Sequence, residues 1–336
     1  MRARVLELVK QHGWNATAFQ VLGPRFEYWF DGEDACVAYV DTGAAWVVAG
    51  APLCDEARLA LTAERFSAAA REAGRRASFF AVERRFLEAT GARALPIGEQ
   101  PVWSPVDWPA VVAGSRNLKE QLRRARAKGV AVREVDAPVP AALLGQLNAI
   151  RQEWQRGHGL PPMGFLVEPV DFAELLGRRL WLAEQGGALV AALVVAPVPA
   201  REGVLFEELC RHPGAPNGTS ELLLDAALRA LAQEGHRYAT LGLAPLSGDV
   251  GPWLRAAAKL SSGLYDFRGL RRFKSKLKPA RWDPLFIAVP PGASRPLALW
   301  DALGAFAHGR RWRFGVHALS RLPGRMGRRL FAGASR

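Results

Sequence analysis

The residues best suited to chemistry in this 336-residue chain lie in one short stretch. Glu207 and Glu208 end a β-rich run, Arg211 follows, and Asn217 sits in the loop Arg211-His212-Pro213-Gly214-Ala215-Pro216-Asn217-Gly218. Glu221 falls near the start of the next helical pattern. Strand neighbours alternate sides, so at most one of the paired glutamates is expected to face inward. An acid such as Glu221 at a helix N-terminus also complements the helix dipole with no further role. Together with Asn217, these acids would make a small polar pocket able to hold an ammonium group. Arg211 and Gly214 begin a pattern whose backbone N–H groups can cradle phosphate at a helix N-terminus. Pro216, however, has no N–H to donate. The same pattern recurs at 126–131, after a helix and before a strand, where it has no such use.

Other chemistries find little support. The six histidines show no HExxH or other ligand spacing, and only His212 falls in the candidate loop, so no metal is expected. There is no GxSxG nucleophile elbow. Cys36, Cys54 and Cys210 share no CxxC spacing, which argues against a disulfide scaffold or a structural zinc. No cofactor is called for.

The net charge of +13 is uneven. Residues 265–336 hold 16 of the 45 basic residues against three acids, Asp266, Asp283 and Asp301, whereas the first 264 are neutral. Such a block marks a surface that meets phosphate, in nucleic acid or in an anionic lipid face. A solvated surface in an arginine-rich protein is the plainer alternative. With 49% hydrophobic residues the chain can pack a core, and its length suits two domains. The longest apolar stretch, 188–198, is about half of what a membrane-spanning helix needs. No apolar signal region is visible at the start, so a cytoplasmic protein is expected.

The elements that must position these residues follow from pattern and punctuation. Strands are expected at 25–30, 35–40, 45–49 and 78–82, with a helix at 59–73. Four prolines make 96–109 read as a linker, with the halves meeting near 106–115. Ser115 is a plausible N-cap for a helix that Gly129 stops and whose outer face is strongly basic. A helix at 140–156, strands at 179–183, 188–196 and 203–209, a helix at 219–234 and a strand at 238–243 follow. Helices are expected at 252–260 and 297–307, with a strand at 286–289 between them. The order in the second half is that of a GNAT acyltransferase, and the first third is similar. The fold expected is α/β, two tandem GNAT-like domains with mixed, mostly antiparallel sheets: 1–110, 111–292 as the catalytic domain, and a basic aromatic tail at 293–336.

Several segments occur in an order that is specific. They are Arg116-Asn117-Leu118 with Arg123-Arg124-Ala125 and Gly129-Val130, then Pro216-Asn217-Gly218, then Leu241-Gly242-Leu243-Ala244-Pro245-Leu246-Ser247, then residues 265–274, YDFRGLRRFK. They resemble the catalytic domain of the lysylphosphatidylglycerol synthase family, the DUF2156 group, over roughly 12–290. His12-Gly13-Trp14-Asn15 and Gly50-Ala51-Pro52 resemble that family's first half. The resemblance implies transfer of an aminoacyl group from aminoacyl-tRNA to a membrane lipid such as phosphatidylglycerol, without the family's membrane-embedded flippase portion. It also explains why a good pyrophosphate loop is unnecessary. Two positions depart from the family pattern: Ala51 replaces an aspartate, and Glu208 replaces the aspartate of a D-L-M-R run. The acceptor stays open among phosphatidylglycerol, another lipid and a small metabolite, and the amino acid is not specified.

On this reading Glu208, Arg211, Asn217, Glu221 and Ser247 surround the reaction site. Glu208 and Glu221 hold an ammonium, Arg211 orients a phosphate or ester oxygen, and Asn217 and Ser247 serve the developing oxyanion. Arg268, Arg271, Arg272, Lys274, Lys276 and Lys278 are assigned to the tRNA acceptor arm. The tail, with Trp300, Phe306, Trp312 and Phe314 among arginines, is assigned to an anionic membrane face, making the protein peripheral at the inner side. One alternative is a coenzyme A-dependent N-acyltransferase with Tyr265 or Glu208 as acid or base. The other is a non-catalytic RNA- or membrane-binding protein. Oligomeric state is left open.

Overall fold

A computed structural model describes residues 1–158, 164–251, 254 and 267–307 of the chain. Helix α1 (Arg2–His12) and a 3-10 stretch, Ala16–Leu22, precede strands β1 (Glu27–Phe30), β2 (Cys36–Asp41) and β3 (Ala45–Ala49). Helix α2 (Leu59–Glu72), β4 (Arg76–Val82), the short α3 (Arg84–Thr90) and β5 (Arg93–Trp103) follow. Helices α4 (Trp108–Gly114) and α5 (Arg116–Ala127), β6 (Val130–Val135) and α6 (Ala141–His158) lead to β7 (Arg179–Gln185), β8 (Ala188–Val198) and β9 (Gly203–Arg211). Then come α7 (Thr219–Gln233), β10 (Tyr238–Thr240), β11 (Ala244–Pro245), α8 (Phe267–Lys276), β12 (Arg281–Val289) and α9 (Arg295–Phe306).

Local sequence explains the helices. In α2 the buried Leu59, Ala63, Phe66 and Ala70 repeat at helical spacing and form one apolar stripe. Ser115 caps α5: its hydroxyl oxygen accepts from the Leu118 N–H, satisfying a donor that the first turn leaves orphaned. Leu118, Leu122 and Ala125 form the buried side of that helix, which leaves its basic residues outside.

Twelve strands form one sheet in the order β1-β2-β3-β4-β12-β5-β10-β9-β8-β7-β6, with β11 added to β5. Only β3–β4 and β9–β10 are parallel, so the sheet is mixed and mostly antiparallel. The two halves share this sheet rather than each closing its own. β12 comes from the far end of the chain yet lies between β4 and β5, and β5 in turn pairs with β10.

The segment expected to be a linker is therefore largely β5, in the middle of the sheet. Its prolines fall where the ladder is already irregular. Pro96 faces Phe286 beside a register shift in β12. Pro101 lies between the residues paired with β11 and those paired with β10.

Burial separates two faces. On β8, Leu193 and Val195 pack in one apolar cluster with α5 and α7, while Val194 packs on the other side with α6. Helix α9 lies on the α6 side of the sheet, over the first half. Its Ala298, Ala302 and Ala305 are buried in one cluster with Phe80 and Ile287. Asp301, also buried, accepts two hydrogen bonds from Arg76 at 2.9 and 2.7 Å. Phe306 meets Phe80 and Phe165 edge-on.

Helix α9, the first part of the tail expected to face a membrane, packs its inner side onto the sheet. Only Leu297, Trp300 and Leu303, three residues apart on one side, stay exposed as large apolar groups. Trp312 and Phe314 lie outside the described residues, as does the helix expected at 252–260 apart from Leu254. Among the described residues, no helix is long and apolar enough to cross a membrane.

Candidate active site

Strands β9 and β10 run parallel only from Gly203–Tyr238 to Leu205–Thr240. Beyond that they part. β9 continues to Arg211 along β8, whereas the other chain swings across as Leu241-Gly242-Leu243 and joins β5 through β11. Gly242 takes a left-handed φ of +66° at the swing. Two parallel strands that diverge leave a cleft with backbone groups the sheet no longer satisfies.

Helix α8 satisfies them. The Lys274 ammonium donates to the carbonyl oxygens of Leu241, Gly242 and Leu243 at 2.8, 2.8 and 2.9 Å, which uses all three of its protons. Lys274 is 4% exposed. Burial pushes its ammonium down to about 7, since desolvation penalises the charged form. One turn earlier Arg271 donates twice to Glu99 of β5, at 2.9 and 2.6 Å, and stacks on Trp282. Residues 241–243 of the LGLAPLS block and Lys274 of the YDFRGLRRFK block thus meet where β9 and β10 part.

On the β9 side, both glutamates turn to the same face. The ladder with β8 shifts register between Val194 and Val195, pairing Phe206 with Val195 and Glu208 with Val194, and leaves Glu207 as the extra residue. A bulge of this kind breaks the alternation that argued for one inward acid. Glu207 receives Arg178 at 2.6 and 3.1 Å, with both side chains under a tenth exposed. Glu208 receives Arg151 at 2.6 and 3.1 Å and the Val170 N–H at 3.1 Å. Arg151 stacks on Phe172 with its Cζ 3.8 Å from the ring centre, and also donates to the Val170 carbonyl. Burial raises the Glu208 carboxyl, against the pull of Arg151.

The five residues expected together are not brought together. Arg211, three residues past Glu208 on the same strand, points to the opposite face. Asn217 is exposed, and Glu221 is half-buried in the first turn of α7, on that opposite side. Ser247 is buried near Glu99 and donates to the Ala244 carbonyl at 2.7 Å, so its proton is used within its own turn.

Part of the Arg211 loop's donor set is already used within the loop. The Gly214 N–H goes to His212 Nδ1, the Ala215 N–H to the His212 carbonyl, and Pro216 has none. What the Pro216-Asn217-Gly218 motif does is pack. A Cβ on Gly218 would sit 2.2 Å from the Gln121 carbonyl oxygen of α5, at a φ of +93°. Gly218→Ala should therefore cost at least the ~1–2 kcal/mol of left-handed strain, plus the displacement of α7 from α5. A denaturant midpoint equal to wild type would refute this.

The first-half motifs join in a similar way. Asn15 accepts from the Ala51 N–H at 3.3 Å and donates to the Ala81 carbonyl at 3.4 Å, tying HGWN to Gly50-Ala51-Pro52.

The basic block at 268–278 divides rather than forming one surface. Arg272, Lys276 and Lys278 are exposed; Arg271 is half-buried on Glu99, and Lys274 is inside. The assignment of Lys274 to a phosphate-facing surface is corrected, because three carbonyls turned it inward. The side chain of Arg268 lies outside the described residues. Arg151, Arg178 and Glu99 hold the geometry here and were not picked out as site residues, and Glu207 was set aside because only one of the paired glutamates was expected to face inward. A buried arginine partner leaves no periodic signal, although Arg151 in the middle of an amphipathic helix was a trace of one.

A family model described as "Phosphatidylglycerol lysyltransferase, C-terminal" matches residues 6–289. The phosphatidylglycerol lysyltransferase of Bacillus subtilis is 25% identical over 312 residues, which is 88% of this chain and 36% of that protein. The lysylphosphatidylglycerol biosynthesis bifunctional protein LysX of Mycolicibacterium gilvum is 31% identical over 140 residues, 40% of this chain and 12% of its own length. The chain thus spans about a third or less of these two relatives.

Among solved structures, the C-terminal DUF2156 domain of an assigned lysylphosphatidylglycerol synthetase from Agrobacterium fabrum superposes with a TM-score of 0.79 at 24% identity. It covers 92% of this chain and 98% of that one. L-PGS from Bacillus licheniformis gives 0.76 at 21%, covering 90% and 95%. Both share the fold of this chain. With the family model running from the first helix through the last strand of the sheet, the chain belongs to the phosphatidylglycerol lysyltransferase C-terminal domain family.

Proposed function

We propose that this domain transfers an aminoacyl group from aminoacyl-tRNA to a hydroxyl of an anionic membrane lipid of the phosphatidylglycerol class. The lipid oxygen attacks the ester carbonyl and forms the new C–O bond. The bond to the tRNA ribose oxygen breaks, and the lipid hydroxyl proton ends on that leaving oxygen. Exchange of one ester for another is nearly balanced in energy, so positioning and relief of oxyanion charge are the protein's task.

The observation that carries this reading is the parting of β9 and β10, where Lys274 ties α8 to Leu241–Leu243 and the arginine-paired carboxylates of Glu207 and Glu208 follow on β9. Glu207 and Glu208 can share their remaining lone pairs with an ammonium of the aminoacyl group. Lys274 acts as a positioning residue for Leu241–Leu243. Arg211, Asn217, Glu221 and Ser247 lie too far apart in direction to act as one cluster; of them, Ser247 is on the cleft side with β11. Exposed Arg272, Lys276 and Lys278 suit tRNA phosphates, and the exposed Leu297, Trp300 and Leu303 stripe suits a bilayer. Against the coenzyme A reading stand Pro216, which has no N–H, and the Gly214 and Ala215 amides, which are used within the loop.

The test is incubation of the protein with labelled aminoacyl-tRNAs and phosphatidylglycerol vesicles. Label should enter the lipid phase, and RNase pretreatment of the tRNA should abolish it. No lipid label from any aminoacyl-tRNA, or turnover of acetyl-coenzyme A instead, would overturn the proposal.

A further inference from the structure

Outside the cleft, the strongest feature is the outward face of α5. Arg116, Lys119, Arg123 and Arg126 fall at i, i+3, i+7 and i+10 and form one stripe about 15 Å long at the rise of an α-helix. The stripe borders two adjoining shallow cavities of about 700 and about 390 Å3, and Lys119 and Arg123 line both. Arg124 borders the first and Arg229 of α7 the second. Two carboxylates answer these six cations. Glu120 takes Arg123 and Arg124, and the buried Asp225 takes Arg126 and Arg229. Arg116 and Lys119 have no acidic partner among the described residues. The patch belongs to the part of the chain whose overall charge is neutral, so composition hides it.

We propose that this α5 face docks the phosphate backbone of RNA, namely the acceptor end of the tRNA; this rests on the aminoacyl-tRNA reading given above. A row of cations that outnumbers its carboxylates releases counterions when it meets a polyanion. At about 3.4 Å per nucleotide step, a 15 Å stripe spans roughly four steps of a strand. A bilayer is the poorer partner. None of the exposed large apolar side chains lies on α5 or α7, and three of them lie on α9, against the other face of the sheet. RNA would then meet the side of the sheet that carries α5 and α7, leaving the α9 side for lipid. Phe273 and Leu277 pack into the same cluster as α5, so the exposed cations of α8 lie on this side too.

The experiment measures binding of uncharged tRNA to the full chain between 50 and 200 mM salt, for wild type and for Arg116→Glu/Lys119→Glu. Sedimentation with phosphatidylglycerol vesicles is followed alongside. The double variant should bind tRNA at least about tenfold more weakly, and its log–log salt slope should flatten by about two. Vesicle binding should not change. Arg116→Ala/Lys119→Ala, which introduces no new charge, should show the same slope change and guards against misfolding. Unchanged tRNA affinity and slope, no tRNA binding by wild type, or a loss of vesicle binding in place of tRNA binding would each overturn the proposal. If wild type labels lipid from aminoacyl-tRNA while the variants keep full tRNA affinity, the α5 surface fails and the functional reading stands. If α5 binds tRNA but no lipid is ever labelled, the surface stands and that reading fails.

Discussion

Lys274→Met should lower aminoacyl transfer by about two orders of magnitude or more, and should destabilise the fold by roughly 2–4 kcal/mol. Methionine keeps the length and apolar stem of lysine but leaves three carbonyl oxygens, those of Leu241, Gly242 and Leu243, without their donor. Each would need water in a place the lysine now fills. The segment they belong to forms one wall of the cleft where β9 and β10 part, and a shift of about 1 Å there is enough for a hundredfold loss. Because the ammonium touches backbone and not substrate, the loss should appear in the rate at saturation and in stability together. A variant with wild-type turnover would remove Lys274 from the site.

The same lysine has a pH signature. Burial depresses its folded value to about 7, against an ordinary value of 10.5, so between those limits the unfolded chain holds more protons than the folded one. Stability from this group therefore rises with pH across that window, and below about 7 the full desolvation cost is present. The three accepting carbonyls favour the charged form and oppose the depression without reversing it. Lys274→Met should lack this rise, so the gap in unfolding free energy between wild type and variant should widen from pH 7 towards pH 10. Parallel curves would contradict the assignment.

What the sequence could and could not disclose follows from the range of the interactions. The helices α2, α5 and α7 and strands β2, β3, β7, β8 and β9 were legible because periodicity and caps are local. Ser115 is a clear case, a cap written in one residue. β5 was hidden because its prolines read as breakers, and nothing local shows that a strand arriving some 180 residues later will pair with it. The motif blocks were legible as motifs, but their reason was not. Gly218 is a glycine because α5 passes 2.2 Å from where a Cβ would stand, and Lys274 is inside because a turn in another segment offers three oxygens. The inward pairing of Glu207 and Glu208 depended on a single extra residue in a ladder. Alternation, the rule that sequence reading must use, gives the wrong face in that place.

Removing Arg151 tests the acid side of the cleft. Arg151→Met should cost about 3–5 kcal/mol and lower the melting temperature by on the order of 10 °C, because it leaves the Glu208 carboxylate buried without its cation. Glu208 already lies above the ordinary carboxylate value, chiefly through desolvation, and Arg151 is the main influence pulling it back. A raised folded value means that its contribution is fully present below about 4.5 and is lost as pH rises through that folded value. Taking the arginine away raises the folded value further, so the deficit of the variant should be largest at neutral pH and shrink towards pH 4, where Glu208 is protonated in both states. Adding Glu208→Gln to Arg151→Met should recover part of the stability, since replacing both members of a buried pair is milder than stranding one. An Arg151→Met deficit that does not vary with pH, or a double variant no more stable than the single, would show that the stacking of Arg151 on Phe172 and its bond to the Val170 carbonyl hold this region, and not the ion pair. With Arg151 left in place, Glu208→Gln alone keeps an acceptor for the Val170 N–H but removes the charge. If Glu208 shares its charge with the aminoacyl ammonium, that variant should raise KM for the aminoacyl donor more than it lowers kcat, a split that a purely structural acid would not produce.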